Sequence, residues 1–122
     1  MSTWSAPVRY GECDQQGVVF NAHYLLYCDE ALAAYCAHRG LPDLAEAVHL
    51  VTSTLTWRSP ARWGETVDVD VRCTKVGRTS FDLTFEISVG QRRSCTVTTV
   101  YVNTDGSGHP EPLPQAARDR LS

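Results

Sequence analysis

The sequence has little of what marks secreted, membrane-spanning or metal-binding proteins. Its five cysteines are an odd number and include no Cys-x-x-Cys pair, which argues against a disulfide framework and against a zinc site. The longest uncharged stretch, residues 15–28, is shorter than the roughly 20 residues of a membrane-spanning helix. The first seven residues lack the basic and apolar regions of a secretory leader. We therefore expect a reduced, cytoplasmic protein with no membrane partner.

A surplus of positive charge is also missing. Eleven Lys and Arg residues stand against fourteen Asp and Glu residues, which gives a formal net charge of −3. Nucleic-acid-binding modules usually carry a basic stripe that displaces phosphate counterions. The densest basic stretches here, residues 75–78 and 92–93, are too sparse for that purpose. This argues against a nucleic-acid partner and leaves room for a small anionic ligand.

What the sequence does contain is enough for one hydrophobic core. Hydrophobic residues make up 43% of the 122 residues, and this length predicts a single domain over residues 1–122. A chain of this size buries about 60–70% of its unfolded surface, so its core needs no disulfide or metal.

The residue pattern predicts a strand, a long helix and then four more strands. Asn21 suits the helix N-cap or its first turn, and Gly40 suits the position just past the helix end. Between Tyr24 and Ala37 only two acids interrupt the apolar sequence, so we expect a helix buried on nearly all sides. The predicted elements are strands at 6–10, 49–58, 66–74, 81–89 and 93–102, the helix at 21–39 and a short helix at 114–121.

Short connections between the later strands favour antiparallel pairing. A single apolar helix and a single sheet must bury each other, and a curved sheet wrapped around the helix exposes the fewest apolar atoms. The expected class is therefore α+β. Because no second helical layer covers the outer sheet face, we also expect self-association to cover exposed edges and apolar surface.

One acidic residue stands in a position with catalytic potential. Asp14 lies in a loop that passes through Gly17 to the predicted helix start at Asn21. A helix start presents unpaired amides and about half a positive charge, which suits a carbonyl oxygen becoming an oxyanion. A carboxylate nearby can attack that carbonyl or activate a water, and glycine lets the backbone approach a ligand closely. A plain turn or capping role fits the same residues, so the pattern alone leaves both interpretations open.

The run RYGECDQQGVVFNAHY at residues 9–24 resembles the signature of the 4-hydroxybenzoyl-CoA thioesterase family, D-x-x-G-[hydrophobic]-V-[aromatic]-x-x-x-Y. Residues 60–65 and 78–81 resemble two shorter segments of that family. The resemblance implies a hotdog fold, in which an antiparallel sheet of about five strands wraps around one long central helix. It also implies a homodimer or homotetramer, with a continuous sheet across two subunits and active sites between them.

The resemblance further implies an acyl-CoA thioesterase that hydrolyses an acyl- or aroyl-CoA to the free acid and CoA. Asp14 matches the nucleophile or general base, Gly17 the glycine of the signature, and Asn21 the position whose backbone amide polarises the thioester carbonyl. Neither a metal nor an organic cofactor is implied. The positions expected to contact the substrate are Tyr24 for the acyl part and Arg78, Thr79 and Ser80 for the CoA nucleotide or phosphates.

Two other functions stay open on the sequence. A non-catalytic acyl-CoA-binding module would keep the groove but lose the carboxylate that Asp14 provides. Hotdog hydratases of enoyl-CoA thioesters place Asp and His five residues apart, whereas His23 follows Asp14 by 23 − 14 = 9 residues. His23 is otherwise interpreted as a helix-face histidine bonded to backbone, Glu12 as a surface acid and Cys13 as an inert thiol. The acyl group and the size of the oligomer are not indicated.

Overall fold

Five strands form one antiparallel sheet in the computed structural model, which describes residues 2–122. The sheet order is β1-β3-β4-β5-β2, so β4 lies at the centre while β1 and β2 form the two edges. The elements in chain order are β1 (Trp4–Pro7), a 3₁₀ turn (Tyr10–Glu12), α1 (His23–His38), α2 (Leu44–Ala47), β2 (Val48–Trp57), β3 (Thr66–Val76), β4 (Ser80–Val89), β5 (Arg92–Asn103) and α3 (Gln115–Arg120).

Strict alternation along the central strand decides which sheet face is buried. Phe81, Leu83, Phe85 and Ile87 of β4 are fully buried on the inner face, against α1. The helix contributes its own buried side chains to the same cluster, and full burial of one such apolar side chain stabilises the fold by about 1.5–3 kcal/mol. The buried residues of α1 are Tyr24, Tyr27, Cys28, Ala31, Leu32, Tyr35 and Cys36. The predicted α+β hotdog architecture, a sheet wrapped around one long helix, is confirmed.

The central helix is covered on one side only. Its exposed residues recur every three or four positions and include Leu26, Asp29, Glu30, Ala33 and Ala37. Leu26 is 55% exposed although it is apolar. The prediction of burial on nearly all sides is therefore wrong for the single chain, because one curved sheet reaches only the face that carries the aromatic residues. No helix within residues 2–122 is long and apolar enough to cross a membrane.

Two predicted element boundaries are also corrected. The first strand ends at Pro7, which pairs with Thr66, the first residue of β3; beyond it the Val8 N–H still donates to the Glu65 C=O at 2.7 Å, outside both strands. The long helix begins at His23, with Ala22 and not Asn21 at the N-cap, because the His23 N–H donates to the Phe20 C=O at 2.8 Å and makes residues 21–22 a turn.

The C-terminal segment closes the end of the core at which α1 finishes. The Tyr35 hydroxyl donates to the Leu121 C=O, and the Arg39 guanidinium lies over the Tyr35 ring at 4.5 Å while Nη1 donates to the Arg120 C=O at 3.0 Å. Gly40 follows the helix with φ of 70°, the left-handed conformation of a helix C-terminus. We call this the tail end of the sheet, where β3 finishes and β4 begins, and the opposite end, where α1 begins, the helix-start end.

The outer sheet face is polar. Thr54 of β2 pairs with Thr98 of β5, which pairs in turn with Thr84 of β4, so a row of threonines crosses three strands. Threonine is β-branched and favours strands, while its hydroxyl keeps the face polar. Self-association that covers exposed surface stays a prediction, and the two edge strands, β1 and β2, stay available for pairing.

Three cysteines belong to the core as neutral thiols. Cys28, Cys36 and Cys95 are buried. Burial raises the pKa of the Cys36 and Cys95 thiols to about 11 and raises the pKa of Cys28 as well. A thiol with a raised pKa is a poor nucleophile at neutral pH, so these side chains act as packing groups.

Truncation of the inner face of β4 tests this account of the core. We expect Leu83→Ala to lower the free energy of unfolding by about 2–5 kcal/mol, because it leaves a cavity in a fully buried position. Thr98→Ala, at an exposed position on the neighbouring strand, serves as the control and should cost less than about 1 kcal/mol. Urea unfolding followed by circular dichroism measures both. Equal losses would contradict the assignment of inner and outer faces.

Candidate active site

The loop that carries Asp14 is shaped by its own backbone. The Asp14 N–H donates to the Val18 C=O at 2.9 Å, and the Gly17 N–H donates to the Asp14 C=O at 3.0 Å. Gly17 has φ of 75°, a left-handed conformation that glycine adopts without strain. Gly17 therefore makes the tight turn that returns the chain from Asp14 towards the helix.

The Asp14 carboxylate is exposed on this loop. Its Oδ1 accepts a hydrogen bond from the Gln16 N–H at 2.8 Å, and Val18, the residue to which its own backbone is bonded, lines a groove described below. An exposed carboxylate with one oxygen engaged locally keeps its other oxygen accessible to a ligand or a water. The structure therefore leaves Asp14 chemically available beside the start of α1.

The start of α1 presents amides without acceptors. Within residues 2–122 no side chain caps this helix, and its N-cap, Ala22, has no side-chain oxygen to offer. The amides of Asn21 and Ala22 likewise find no acceptor among the described residues. A helix start carries about half a positive charge, which stabilises an oxygen that becomes negative nearby. The role of Asn21 at an oxyanion site stays a prediction, and the structure shows Asn21 as a turn residue and not as the cap.

A groove of about 240 Å³ lies beside these amides. It opens at the helix-start end of the sheet, where β2 finishes at Trp57. One wall comes from the Asp14 loop and the first turn of α1, and the other from the end of β2 and the segment after it. The lining residues are Val18, Val19, Asn21, Tyr24, Trp57, Arg58, Ser59 and Pro60.

Tyr24 anchors the floor of this groove. Its hydroxyl donates to Ser94 Oγ at 3.2 Å, accepts from the Ala61 N–H at 3.1 Å, and belongs to a ring only 1% exposed. The Ser94 hydroxyl in turn donates a hydrogen bond to the Ser59 C=O at 2.7 Å. The ring edge of Tyr24 faces Trp57 with centroids 6.3 Å apart. Tyr24 is therefore first a packing residue that fixes the segment after β2, and its contact with a ligand stays a prediction.

The segment at residues 60–65 joins the Asp14 loop to the sheet. The Val19 N–H donates to the Ala61 C=O at 2.8 Å, and the Trp63 N–H donates to the Gly17 C=O at 3.1 Å. Glu65 closes the segment, since its Oε1 accepts from the Arg62 N–H at 2.8 Å and from Arg92 Nη2 at 2.9 Å. The wall of the groove opposite α1 is thus held by backbone hydrogen bonds and by the Glu65 carboxylate.

Arg78, Thr79 and Ser80 lie far from Asp14 in the same chain. They form the β3–β4 turn at the tail end, and the eleven residues of β3 separate them from the helix-start end. At about 3.3 Å per residue this strand spans roughly 36 Å. The C=O of Arg78 accepts from the Leu113 N–H at 2.9 Å, so this turn is bound to the C-terminal segment. Their role in ligand binding stays a prediction.

A carboxylate, a histidine and a tyrosine meet on the other side of the helix start. Glu12 Oε1 accepts from the Arg9 N–H at 2.8 Å and from the Tyr27 hydroxyl at 2.9 Å, while Oε2 lies 3.2 Å from His23 Nε2. Burial raises the pKa of the Glu12 carboxyl, but hydrogen bonds from Arg9, Tyr27 and His23 outweigh it and hold that pKa below its usual range. We call Glu12, His23 and Tyr27 the Glu12 cluster.

The Glu12 cluster was missed by the sequence analysis. Glu12 is not simply a surface acid, and the His23 side chain pairs with Glu12 and not with backbone. Two signals could have revealed it. His23 and Tyr27 are four residues apart and share one helix face, and an acid three residues after Arg9 can cap the 3₁₀ turn. The cluster lines a second groove of about 360 Å³ between β1 and α1.

Cys13 is a weaker candidate nucleophile than Asp14. Burial and the neighbouring carboxylates of Glu12 and Asp14 raise the pKa of its thiol, and Sγ donates to the Arg9 C=O at 3.6 Å. The thiolate is the reactive form of cysteine, so this environment disfavours the chemistry.

The family of the chain follows from a direct match. Residues 16–96, about two thirds of the chain, match the thioesterase superfamily. The chain therefore belongs to the thioesterase superfamily. This confirms the prediction of a thioesterase with a hotdog fold. The matched segment includes Gly17, Asn21 and Tyr24 and begins two residues after Asp14.

Individual relatives agree with this class. The 1,4-dihydroxy-2-naphthoyl-CoA hydrolase of Synechococcus elongatus is 25% identical over 122 residues, covering 93% of this chain and 90% of its own. A thioesterase from Thermus thermophilus, solved in complex with coenzyme A and zinc, is 28% identical with a TM-score of 0.88, covering 97% of this chain and 94% of its own.

A third relative is so distant in sequence that it shows a shared fold and nothing more. The 1,4-dihydroxy-2-naphthoyl-CoA thioesterase of Synechocystis is 21% identical with a TM-score of 0.84, covering 97% of this chain and 93% of its own. These relatives support the superfamily in general and not 4-hydroxybenzoyl-CoA thioesterase in particular.

Substitution of the loop glycine tests the shape of the Asp14 loop. We expect Gly17→Ala to destabilise the protein by about 1 kcal/mol, because an L side chain at φ of 75° is strained although no atom lies within 4 Å of the new Cβ. Gly11→Ala is the matched control, since its Cβ also meets open space and its φ is not left-handed. Thermal unfolding of both variants measures the difference, and equal midpoints would contradict the strain argument.

Proposed function

We propose that the protein hydrolyses the thioester bond of an acyl-CoA to a free acid and coenzyme A. The observation that carries this proposal is the placement of an exposed carboxylate, Asp14, on a loop that leads directly to the unpaired amides of Asn21 and Ala22 beside a groove. Membership of the thioesterase superfamily supports the bond that is cleaved. The named activity of the Synechococcus relative supports CoA as the thiol.

In the proposed mechanism Asp14 acts on the thioester carbonyl carbon. The carboxylate either attacks that carbon, giving an anhydride that water then opens, or removes a proton from the water that attacks. In both routes the carbonyl oxygen gains negative charge, and the Asn21 amide donates to it. One such donor lowers the barrier by about 2.7–4 kcal/mol. The carbon–sulfur bond breaks as CoA leaves as a thiolate, which needs no strong general acid.

The proposed acyl group is aromatic. The Synechococcus relative is named for a dihydroxynaphthoyl substrate, and the sequence signature resembles that of hydroxybenzoyl-CoA thioesterases. Both acyl groups are hydroxylated aromatic rings. Tyr24 and Trp57 present an aromatic wall in the groove, and aromatic rings pair with offset or edge-to-face geometry. A panel that includes hydroxybenzoyl-, dihydroxynaphthoyl- and straight-chain acyl-CoA thioesters should show the aromatic members turned over fastest.

The proposed assembly is a pair of chains joined at β2. This edge strand is ten residues long, and Leu50, Val51 and Trp57 on it are 51%, 59% and 46% exposed. Long edge strands with apolar side chains favour pairing with another chain. A two-fold axis beside β2 makes the two copies antiparallel, so the tail end of one lies along the helix-start end of the other. That arrangement would bring a second chain's Arg78–Ser80 turn to the end of the sheet that holds Asp14.

Replacement of Asp14 tests the mechanism. We expect Asp14→Asn to lower kcat by about 10²–10⁴-fold, the usual contribution of a general base, with little change in stability. Asp43→Asn, an exposed acid at the tail end, is the control and should keep the wild-type rate. Release of free thiol from the acyl-CoA panel measures both.

Different experimental results would contradict different parts of this proposal. An Asp14→Asn variant with full activity would refute the role of Asp14. Tight acyl-CoA binding without turnover by the wild-type protein would favour a binding module. Single-turnover hydrolysis in oxygen-18 water identifies the nucleophilic route when label enters Asp14, which happens only if the carboxylate forms the anhydride and water opens it at the Asp14 carboxyl carbon.

A charged residue on the edge strand tests the assembly. We expect Val51→Lys to elute as a monomer on size-exclusion chromatography and to lose most activity, because a lysine opposes edge-to-edge pairing. Thr98→Lys places the same charge on the outer face of the adjacent strand β5 and should leave the assembly intact. A Val51→Lys variant that stays associated would contradict pairing through β2.

A further inference from the structure

We propose that Glu12 is a positioning residue that fixes the Asp14 carboxylate and the Asn21 amide in position relative to each other. The inference rests on the proposed function, in which those two groups act on one carbonyl. Glu12 itself is not placed to touch a substrate in the groove, because it faces the opposite side of the helix start and lines the groove between β1 and α1. Its effect would therefore pass through the Asp14 loop.

The first step of the argument is that Glu12 fastens both ends of the Asp14 loop. On the entering side, its backbone N–H donates to the Arg9 C=O at 3.0 Å, and the Arg9 N–H donates to its carboxylate. On the leaving side, its C=O accepts from the Phe20 N–H at 3.0 Å. Residues 13–19, which include Asp14, thus form a loop whose first and last neighbours, Glu12 and Phe20, are joined by a backbone hydrogen bond. We call Glu12 the base of this loop.

The second step is that the Glu12 side chain binds the base of the loop to α1. The Tyr27 hydroxyl and His23 Nε2 both reach the Glu12 carboxylate, at 2.9 and 3.2 Å. Hydrogen bonds to a carboxylate are among the stronger ones in proteins. The two donors are held rigidly, since the His23 and Tyr27 rings meet edge to face at 4.9 Å and Tyr27 is only 2% exposed. These bonds therefore fix the position of Glu12 relative to the helix start.

The third step is that Asp14 depends on this anchoring. Its carboxylate is exposed, and its side chain is engaged by the Gln16 amide of the same loop. The direction of the carboxylate relative to the helix is then set by the loop as a whole. Asn21 follows Phe20 directly, so the amide at the proposed oxyanion site is fixed from the same point. A misplacement of about 1 Å can cost roughly 10²-fold in rate.

The test is a set of variants assayed for thioester hydrolysis and for stability. We expect Glu12→Ala to lower kcat by about 10- to 100-fold while KM changes little, because the loss affects alignment and not affinity. Glu12→Gln should recover most of that loss, since its oxygen can accept from Arg9 and Tyr27 and its amide can donate to a neutral His23. Glu86→Ala is the matched control, because Glu86 also accepts from an arginine and a hydroxyl, Arg93 and Thr96, but on the outer sheet face.

A double variant distinguishes positioning from simple destabilisation. If Glu12 acts through Asp14, Glu12→Ala should reduce the residual rate of Asp14→Asn far less than it reduces the wild-type rate. An equal reduction in both backgrounds, or a wild-type kcat for folded Glu12→Ala, would overturn the proposal. Should Glu12→Ala fail to fold, Tyr27→Phe removes one donor and keeps the ring, and an unchanged kcat in that variant overturns it equally. Full activity of Asp14→Asn would instead refute the proposed function itself.

Discussion

The structure depends on the burial of one apolar helix by one curved sheet. The aromatic and aliphatic residues of α1 face the inner side of the sheet, and the fully buried side chains of β4 meet them there. Hydrophobic burial of this kind is the dominant favourable term in folding. Because a single layer covers a single side, the helix keeps an exposed stripe and two ends that must be treated separately.

The two ends of the helix are treated in opposite ways. At the tail end, Leu113, Ala117 and Leu121 are buried, and Tyr35 and Arg39 bind the last carbonyl groups of the chain. At the helix-start end no side chain within residues 2–122 caps the helix, and the groove opens beside it. An uncapped helix start forgoes about 1 kcal/mol of stability. In the proposed function that open position is what a developing oxyanion would occupy.

Much of the fold could be predicted from the sequence because its signals are local. Alternation of apolar and polar residues predicted β3 and β4, and Gly40 predicted the helix end, since each depends on a few neighbouring residues. The true start of α1 could not be found in this way. It is set by the bond from the His23 N–H to the Phe20 C=O, which also makes Asn21 a turn residue.

The candidate site was predicted less completely. Asp14, Gly17 and Asn21 lie in one continuous signature, whereas the Glu12 cluster arises from contacts between the 3₁₀ turn and α1 that no single motif encodes. The exposed stripe of α1 was missed because composition does not show how far a sheet can reach. The threonine row of the outer face has a further consequence. Because β-branching favours the strand while the hydroxyl adds no apolar surface, valine at these positions would keep the strands but give the face an apolar patch of the kind that favours aggregation.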